Sequence, residues 1–259
     1  MLSESIIVSY QRVILAMQEP KDPRSLSNLP DQLKHSFDYY DDMLAAERLV
    51  KCYEIAPPRV KQYLRAEVDH VVEKIRPNDI VLELGCGFGR VMKPLCPGAK
   101  WVIGIDKSIR TLSLAKRFLA NQSNCDLVAA DAIRLPFKEL TFDIVICIQN
   151  GISAFHVDPV ELFAESIRVT KRGGLVLFSS YSEKFWEFRL EWFKAQSKAG
   201  LIGELDTEKT RNGVIFSTDG FTAITYDAQK FLSLAAQFDV DARIVEVDQS
   251  SLFCEMVVH

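Results

Sequence analysis

The rhythm of apolar and polar positions changes twice along the chain. Up to about residue 79 the pattern is helical and polar, broken at Pro20, Pro23, Pro30 and the pair Pro57-Pro58, where a ring replaces the backbone N–H that a helix needs. From Arg59 to Ile75 the apolar residues Val60, Leu64, Val68, Val71, Val72 and Ile75 recur at helical spacing, and Pro77-Asn78-Asp79 closes that helix. Short apolar runs then take over. Ile80–Leu84, Trp101–Ile105, Asp126–Ala129, Phe142–Ile148 and Leu175–Ser179 read as buried strands. A helix capped by Ser108 presents Ile109, Leu112, Ala115, Phe118 and Leu119 inward, and Val160–Val169 forms another before the fifth strand. Strands separated by helices predict βαβ units and a parallel sheet with right-handed crossovers. The second change follows an Asp227-capped helix ending at Phe238. Ala242–Val247 and Leu252–Val258 are joined only by the turn-like Asp248-Gln249-Ser250-Ser251, too short for a crossover helix, so they must pair antiparallel.

Composition narrows the classes. An apolar share of 48% over 259 residues fills a sizeable core. With 31 basic against 35 acidic side chains the net charge is −4, without the basic excess typical of nucleic-acid binders. The six cysteines are scattered without a C-x-x-C pair, and the stretch from Ile6 to Met17 is broken by Ser9, Gln11 and Arg12. Reduced thiols, a cytoplasmic location and no membrane span are the expectation. His35, His70, His156 and His259 are far apart in sequence, and no metal site is expected.

Glu83-Leu84-Gly85-Cys86-Gly87-Phe88-Gly89 carries the chemistry. Alternate glycines let the backbone leave a strand sharply and bring a ligand against its amides. A dinucleotide fingerprint that starts at Gly85 wants its third glycine at position 90, where Arg90 stands, and no Lys-Ser/Thr pair follows for a P-loop. Asp106, ending the second strand, suits two ribose hydroxyls or, equally, a helix N-terminus beside Ser108. Asp131, just past the third strand, suits an adenine amino group, with the Ala132 N–H offered to the ring, or is a turn residue. All three acids fall at carboxyl ends of successive strands, where open α/β sheets bind ligands.

Glu83–Gly89, Asp106, Asp131-Ala132 with Leu135-Pro136-Phe137, Phe142-Asp143 and Lys171-Arg172-Gly173-Gly174 together resemble the class I S-adenosylmethionine-dependent methyltransferases. The likeness runs from about residue 65 to 180 and includes the terminal hairpin. It implies an α/β Rossmann-like fold: a seven-stranded, mostly parallel sheet in the order 3-2-1-4-5-7-6, strand 7 antiparallel, with helices on both faces. It also implies S-adenosyl-L-methionine as cofactor, with S-adenosyl-L-homocysteine as product. Gly85, Cys86, Gly87 and Gly89 would face the methionine part, Glu83 its ammonium, Asp106 the ribose, Lys107, Asp131 and Ala132 the adenine, and Gln149 the sulfonium.

Methyl transfer from a sulfonium is an in-line displacement of a good leaving group, so positioning an acceptor away from water supplies much of the rate. His156 is the candidate base for a protic acceptor, and Asn150 and Ser153 the candidates for orienting it. An insertion at residues 181–225 brings aromatics at helical spacing, followed by a short hairpin. From it Trp186, Arg189 and Trp192 are candidate substrate contacts, with core packing as the alternative for each ring. Ser36–Asp41 resembles an approach helix in which Tyr39 or Tyr40 donates to the cofactor carboxylate. The chain is expected to be one domain: residues 1–64 a helical lid, 65–180 the cofactor core, 181–225 the substrate-side insertion, and 226–259 the last helix and hairpin. Gln149-Asn150-Gly151-Ile152 is not the Asn/Asp-Pro-Pro-aromatic run of DNA amino-methylating enzymes, and Cys147 follows Ile146 rather than proline. A small-molecule acceptor is therefore the expected partner. The other readings are a non-catalytic sensor of the same cofactor and, disfavoured by Arg90 and the hairpin, a nicotinamide oxidoreductase.

Overall fold

The computed structural model describes Tyr39 and residues 43–259. The breaks expected at Pro20, Pro23 and Pro30, the tyrosine at position 40 and most of the approach helix lie outside the described residues. Helices α1 (Glu47–Glu54) and α2 (Pro58–Val72) come first. Pro58 sits in the first turn of α2, where its missing N–H costs no hydrogen bond. Strand β1 (Ile80–Leu84), short helix α3 (Met92–Leu95), β2 (Trp101–Asp106), α4 (Ile109–Phe118), β3 (Cys125–Ala129) and β4 (Phe142–Cys147) follow. Then come α5 (Gly151–Ala154), α6 (Pro159–Val169), β5 (Thr170–Tyr181), α7 (Trp186–Lys198), the hairpin β6 (Ile215–Phe216) and β7 (Thr222–Ala223), α8 (Ala228–Ala235), β8 (Val240–Val247) and β9 (Ser251–Val258).

The large sheet runs β3-β2-β1-β4-β5-β9-β8, the order implied by the resemblance. Every pairing from β3 to β5 is parallel, while β9 is antiparallel to both β5 and β8. Alternation along the strands sends Leu82, Ile103, Val145 and Phe178 to one face, packed with Leu162 and Phe163 of α6 and Phe231 of α8. Val81, Val102, Ile144, Ile146 and Phe253 go to the other, against Val68 and Val71 of α2, Met92 of α3 and Leu112 of α4. Phe163 stacks on Phe178 at 4.4 Å between centroids, and each such buried ring stabilises the fold by about 1.5–3 kcal/mol. A third cluster joins Tyr39, Leu44 and Cys52 to Phe193 of α7, Ile215 of β6 and Phe221 and Ala223 of the hairpin.

Two expectations change. Strand β5 begins at Thr170 rather than Leu175, because Lys171–Gly174 bulges between the Phe142–Thr170 and Ile144–Leu175 pairs. In α4 the buried stripe is Thr111, Leu112 and Ala115, continued by Leu119. Ile109 is 53% and Phe118 39% exposed, since at helical spacing they fall beside the face that Leu112, Ala115 and Leu119 turn to the sheet. Among the described residues no helix is long and apolar enough to cross a membrane.

Candidate active site

In this order the chain reverses direction across the sheet between β1 and β4, and the carboxyl ends of these strands open a crevice. A cavity there is lined by the glycine loop after β1, by Asp106, Lys107 and Ser108 after β2, and by Ile148–Gly151 after β4. Its remaining walls include Leu44, Leu49 and Tyr53 near or on α1, Phe155, Tyr181, Phe193 of α7 and Ala223 of β7.

The loop is shaped by what a side chain would collide with. Gly89 has φ +84, and a Cβ there would stand 2.7 Å from Leu119 Cδ1. Gly104, in the middle of β2, lets the loop lie on the strand: a Cβ there would stand 2.7 Å from that of Cys86. Asp106 ties loop to strand, its Oδ2 accepting from the Gly87 amide at 2.9 Å and Oδ1 from the Ser108 amide at 2.9 Å. The helix-terminus reading of this aspartate is visible in these two bonds. It caps the turn into α4 and also reaches the cavity, and a carboxylate has lone pairs for further donors.

Glu83 lies at the base of the cavity, 4% exposed, and its Oε2 is buried with no hydrogen-bond partner. Burial raises its pKa well above 4.5, opposed by the nearby Arg90 charge and assisted by Asp106. Arg90 spans the same space. Its guanidinium lies 4.4 Å above the Tyr53 ring and donates to Gln149 Oε1, while its Nε is buried without a partner. A buried acid and a half-buried guanidinium in one cavity, each with an unsatisfied polar atom, suit a zwitterionic ligand.

Gln149 and Asn150 both have left-handed backbones, φ 58° and 60°, a conformation costing a non-glycine residue about 1–2 kcal/mol. The turn is held by Ser180 Oγ donating to Asn150 Oδ1 at 2.6 Å and by Gln149 Nε2 donating to Leu64 O at 3.3 Å. Ser153 accepts from the Ile224 amide at 2.8 Å and so ties α5 to the hairpin strand region.

The remaining candidates stand outside the cavity lining. Asp131 pairs with Lys107 at 3.3 Å and accepts from the Ile133 amide at 3.2 Å, and Ala132 packs in the core. His156 is exposed, at φ 51° after α5. Tyr39 donates to Asp219 Oδ2 at 2.6 Å and meets Phe221 edge-on at 5.2 Å, joining the N-terminal segment to the insertion. Arg189, 1% exposed, lies 4.4 Å over the Tyr181 ring and donates to Gly213 O, Thr225 Oγ1 and Ala223 O, bracing the hairpin. Trp192 is buried and donates to Cys52 O at 2.9 Å, and Trp186 packs beside Phe193 in the third cluster. The insertion does reach the cavity, through Tyr181, Phe193 and Ala223 rather than through these three.

Arg90, which in the sequence stands out for breaking the dinucleotide fingerprint, lines the cavity, and so do Tyr53 and Tyr181, which no motif indicates. Arg90 was visible as a charge directly after a glycine turn. The tyrosines carry no local signal, because only the packing of α1 and β5 brings them together.

Residues 81–174 match the family of the methyltransferase domain. A malonyl-[acyl-carrier protein] O-methyltransferase of Marinomonas sp. is 35% identical over 126 residues, 46% of this chain. A demethylmenaquinone methyltransferase of Streptomyces avermitilis is 30% identical over 166 residues, 64% of this chain. The matches span 45% and 64% of the lengths of these two relatives. Among solved structures, a SAM-dependent methyltransferase from Aquifex aeolicus superposes with a TM-score of 0.56 at 14% identity, covering 81% of this chain and 98% of that one. At that identity the likeness speaks for the fold.

Proposed function

We propose that this chain, which belongs to the class I S-adenosylmethionine-dependent methyltransferases, transfers a methyl group to a small-molecule acceptor. The observation that carries this reading is the buried, unpartnered Glu83 Oε2 facing Arg90 in a cavity floored by the glycine loop. When bound, the cofactor supplies an electrophilic methyl on a sulfonium. Glu83 is suited to its ammonium and Arg90 to its carboxylate, a pairing of charge-assisted hydrogen bonds in a low-dielectric site. Asp106 takes the ribose hydroxyls while keeping the Gly87 and Ser108 amides, and Lys107, steadied by Asp131, borders the adenine.

The acceptor side is formed by Tyr53, Phe155, Tyr181 and Phe193, with Asn150 as a polar contact. Such walls favour an apolar or aromatic acceptor, a preference compatible with the quinone precursor named for the demethylmenaquinone relatives. These residues orient the acceptor and keep water from the reacting atoms. The removal of an acceptor proton is not assigned to His156, which stands exposed. Calorimetry with S-adenosylhomocysteine and with NAD tests the first half: micromolar binding of the former alone is expected, and the reverse ranking would refute the reading. Incubation with methyl-labelled cofactor and a panel of quinones, phenols and carboxylic acids tests the second, with label expected in an aromatic product. A chain that binds the cofactor yet labels nothing in broad metabolite extracts would be a sensor instead.

A further inference from the structure

Beneath the Gln149–Asn150 turn lies a carboxylate that methyl transfer itself does not call for. Glu67 is fully buried, on the face of α2 that also carries Tyr63, Leu64, Val68 and Val71. Its Oε2 accepts the Gln149 amide at 2.8 Å, and the same amide donates to Ser179 Oγ of β5 at 2.8 Å. That amide opens the two-residue left-handed turn whose side chains meet Arg90 and Ser180 at the cavity.

We propose that Glu67 is a positioning residue of the methyl-transfer site, its carboxylate clamping the Gln149–Asn150 turn against the cavity edge from the layer below. The inference rests on the methyltransferase reading of that cavity. A core chosen for stability alone has better options at position 67. A buried charge carries a desolvation cost that a well-packed neutral residue avoids, and Glu67 Oε1 has no hydrogen-bond partner to offset it. Keeping such a group where it grips a strained turn is the pattern of a site that trades stability for geometry.

Its charge state adds a readout. Burial raises the Glu67 pKa to about 7, with the Ser179 and Gln149 hydrogen bonds, the nearby Ser251 hydroxyl and the Arg90 charge opposing the rise. The clamp is thus charge-assisted above neutrality and weaker below it. Facing Glu67 are Tyr63 on its own helix, Arg90 from the loop, Cys147 of β4, Ser179 and Tyr181 of β5, and Ser251 of β9. Burial pushes Tyr63, Tyr181 and Cys147 upward, which keeps them protonated, and the serines do not titrate. Glu83, across Arg90, is also raised and contributes its own step to ligand binding, so the variant at position 67 must be compared with the wild type.

The test is calorimetric titration of the full chain with S-adenosylhomocysteine between about pH 6 and 8.5, for the wild type, Glu67→Gln and Ser179→Ala, with Tm measured alongside. Wild-type affinity is expected to fall about fivefold on acidification through neutrality, as the charge-assisted bond is lost. In Glu67→Gln that step should shrink to less than half, while Tm at pH 8 holds or rises. Ser179→Ala should bind more weakly at every pH and keep the step. Glu67→Gln with wild-type affinity and an undiminished step overturns the proposal, and so does a Glu67→Gln chain that fails to fold. A wild type that binds no S-adenosylhomocysteine at any pH instead removes the underlying methyltransferase reading.

Discussion

Single residues at this site do two things at once. Asp106 holds the Gly87 and Ser108 amides and lines the cavity, so under the proposed function its loss takes away a ribose contact and loosens the loop together. Asp106→Ala is expected to weaken S-adenosylhomocysteine binding by about 1–3 kcal/mol in a folded protein. Unchanged affinity would mean that another carboxylate grips the ribose. Glu83 offers a sharper contrast between stability and binding. Because burial raises its folded pKa, with Arg90 opposing, its contribution to stability is present at low pH and is lost as pH rises through the raised value. Glu83→Gln removes that loss. The Tm of the ligand-free variant should therefore exceed that of the wild type by a margin that grows with pH, while affinity for the ligand falls roughly 10- to 100-fold. A variant less stable than the wild type at pH 8 would contradict this account.

At the scale of elements, the strength of the insertion lies in a few polar ties within apolar packing. The Trp192 indole reaches back from α7 to Cys52 O of α1, and Arg189 fastens α7 to the hairpin through three acceptors. Trp192→Phe keeps a ring among Tyr53 and Phe193 but leaves the Cys52 carbonyl without its donor. A loss of about 1–3 kcal/mol in urea unfolding is expected, with ligand affinity little changed because the indole does not line the cavity. The aromatic spacing of residues 185–193 announced a helix and left open whether its rings face a ligand or a core. The answer depends on partners distant in the chain. Trp192 looks to α1, whereas Phe193, its neighbour, reaches the cavity. The charge at position 67 carries no motif of its own. It falls on the apolar stripe between Leu64 and Val71, a place where an acid needs a reason, and that reason is a turn 82 residues away.

For the whole molecule, electrostatics divides into two regions with opposite pH behaviour. Around the cavity, buried Glu67 and Glu83 are raised. On β9, Glu255 is also buried, yet hydrogen bonds from Lys74, Arg243 and His70 outweigh that burial and hold its pKa below 4.5. A lowered acid contributes stability above its unfolded value and loses it as pH falls through the folded one. Acid unfolding below about pH 4.5 should thus draw on Glu255, and Glu255→Gln should flatten the stability curve there while lowering Tm at neutral pH. An unaltered acid limb in that variant would show that the cluster is not the acid-sensitive tie. The alternation of short apolar runs with helical stretches, the terminal pair too close for a crossover, and the glycines before Arg90 were enough to determine a parallel sheet, its antiparallel end and the place of the crevice, while the strand order came from the family resemblance. Those features are local: period, turn chemistry and loop length act within a few residues of themselves. Which side chains the crevice contains was decided only by tertiary structure, because Tyr53, Arg90, Tyr181 and Phe193 come from four separate segments. Their burial and their partners exist only once those segments pack together.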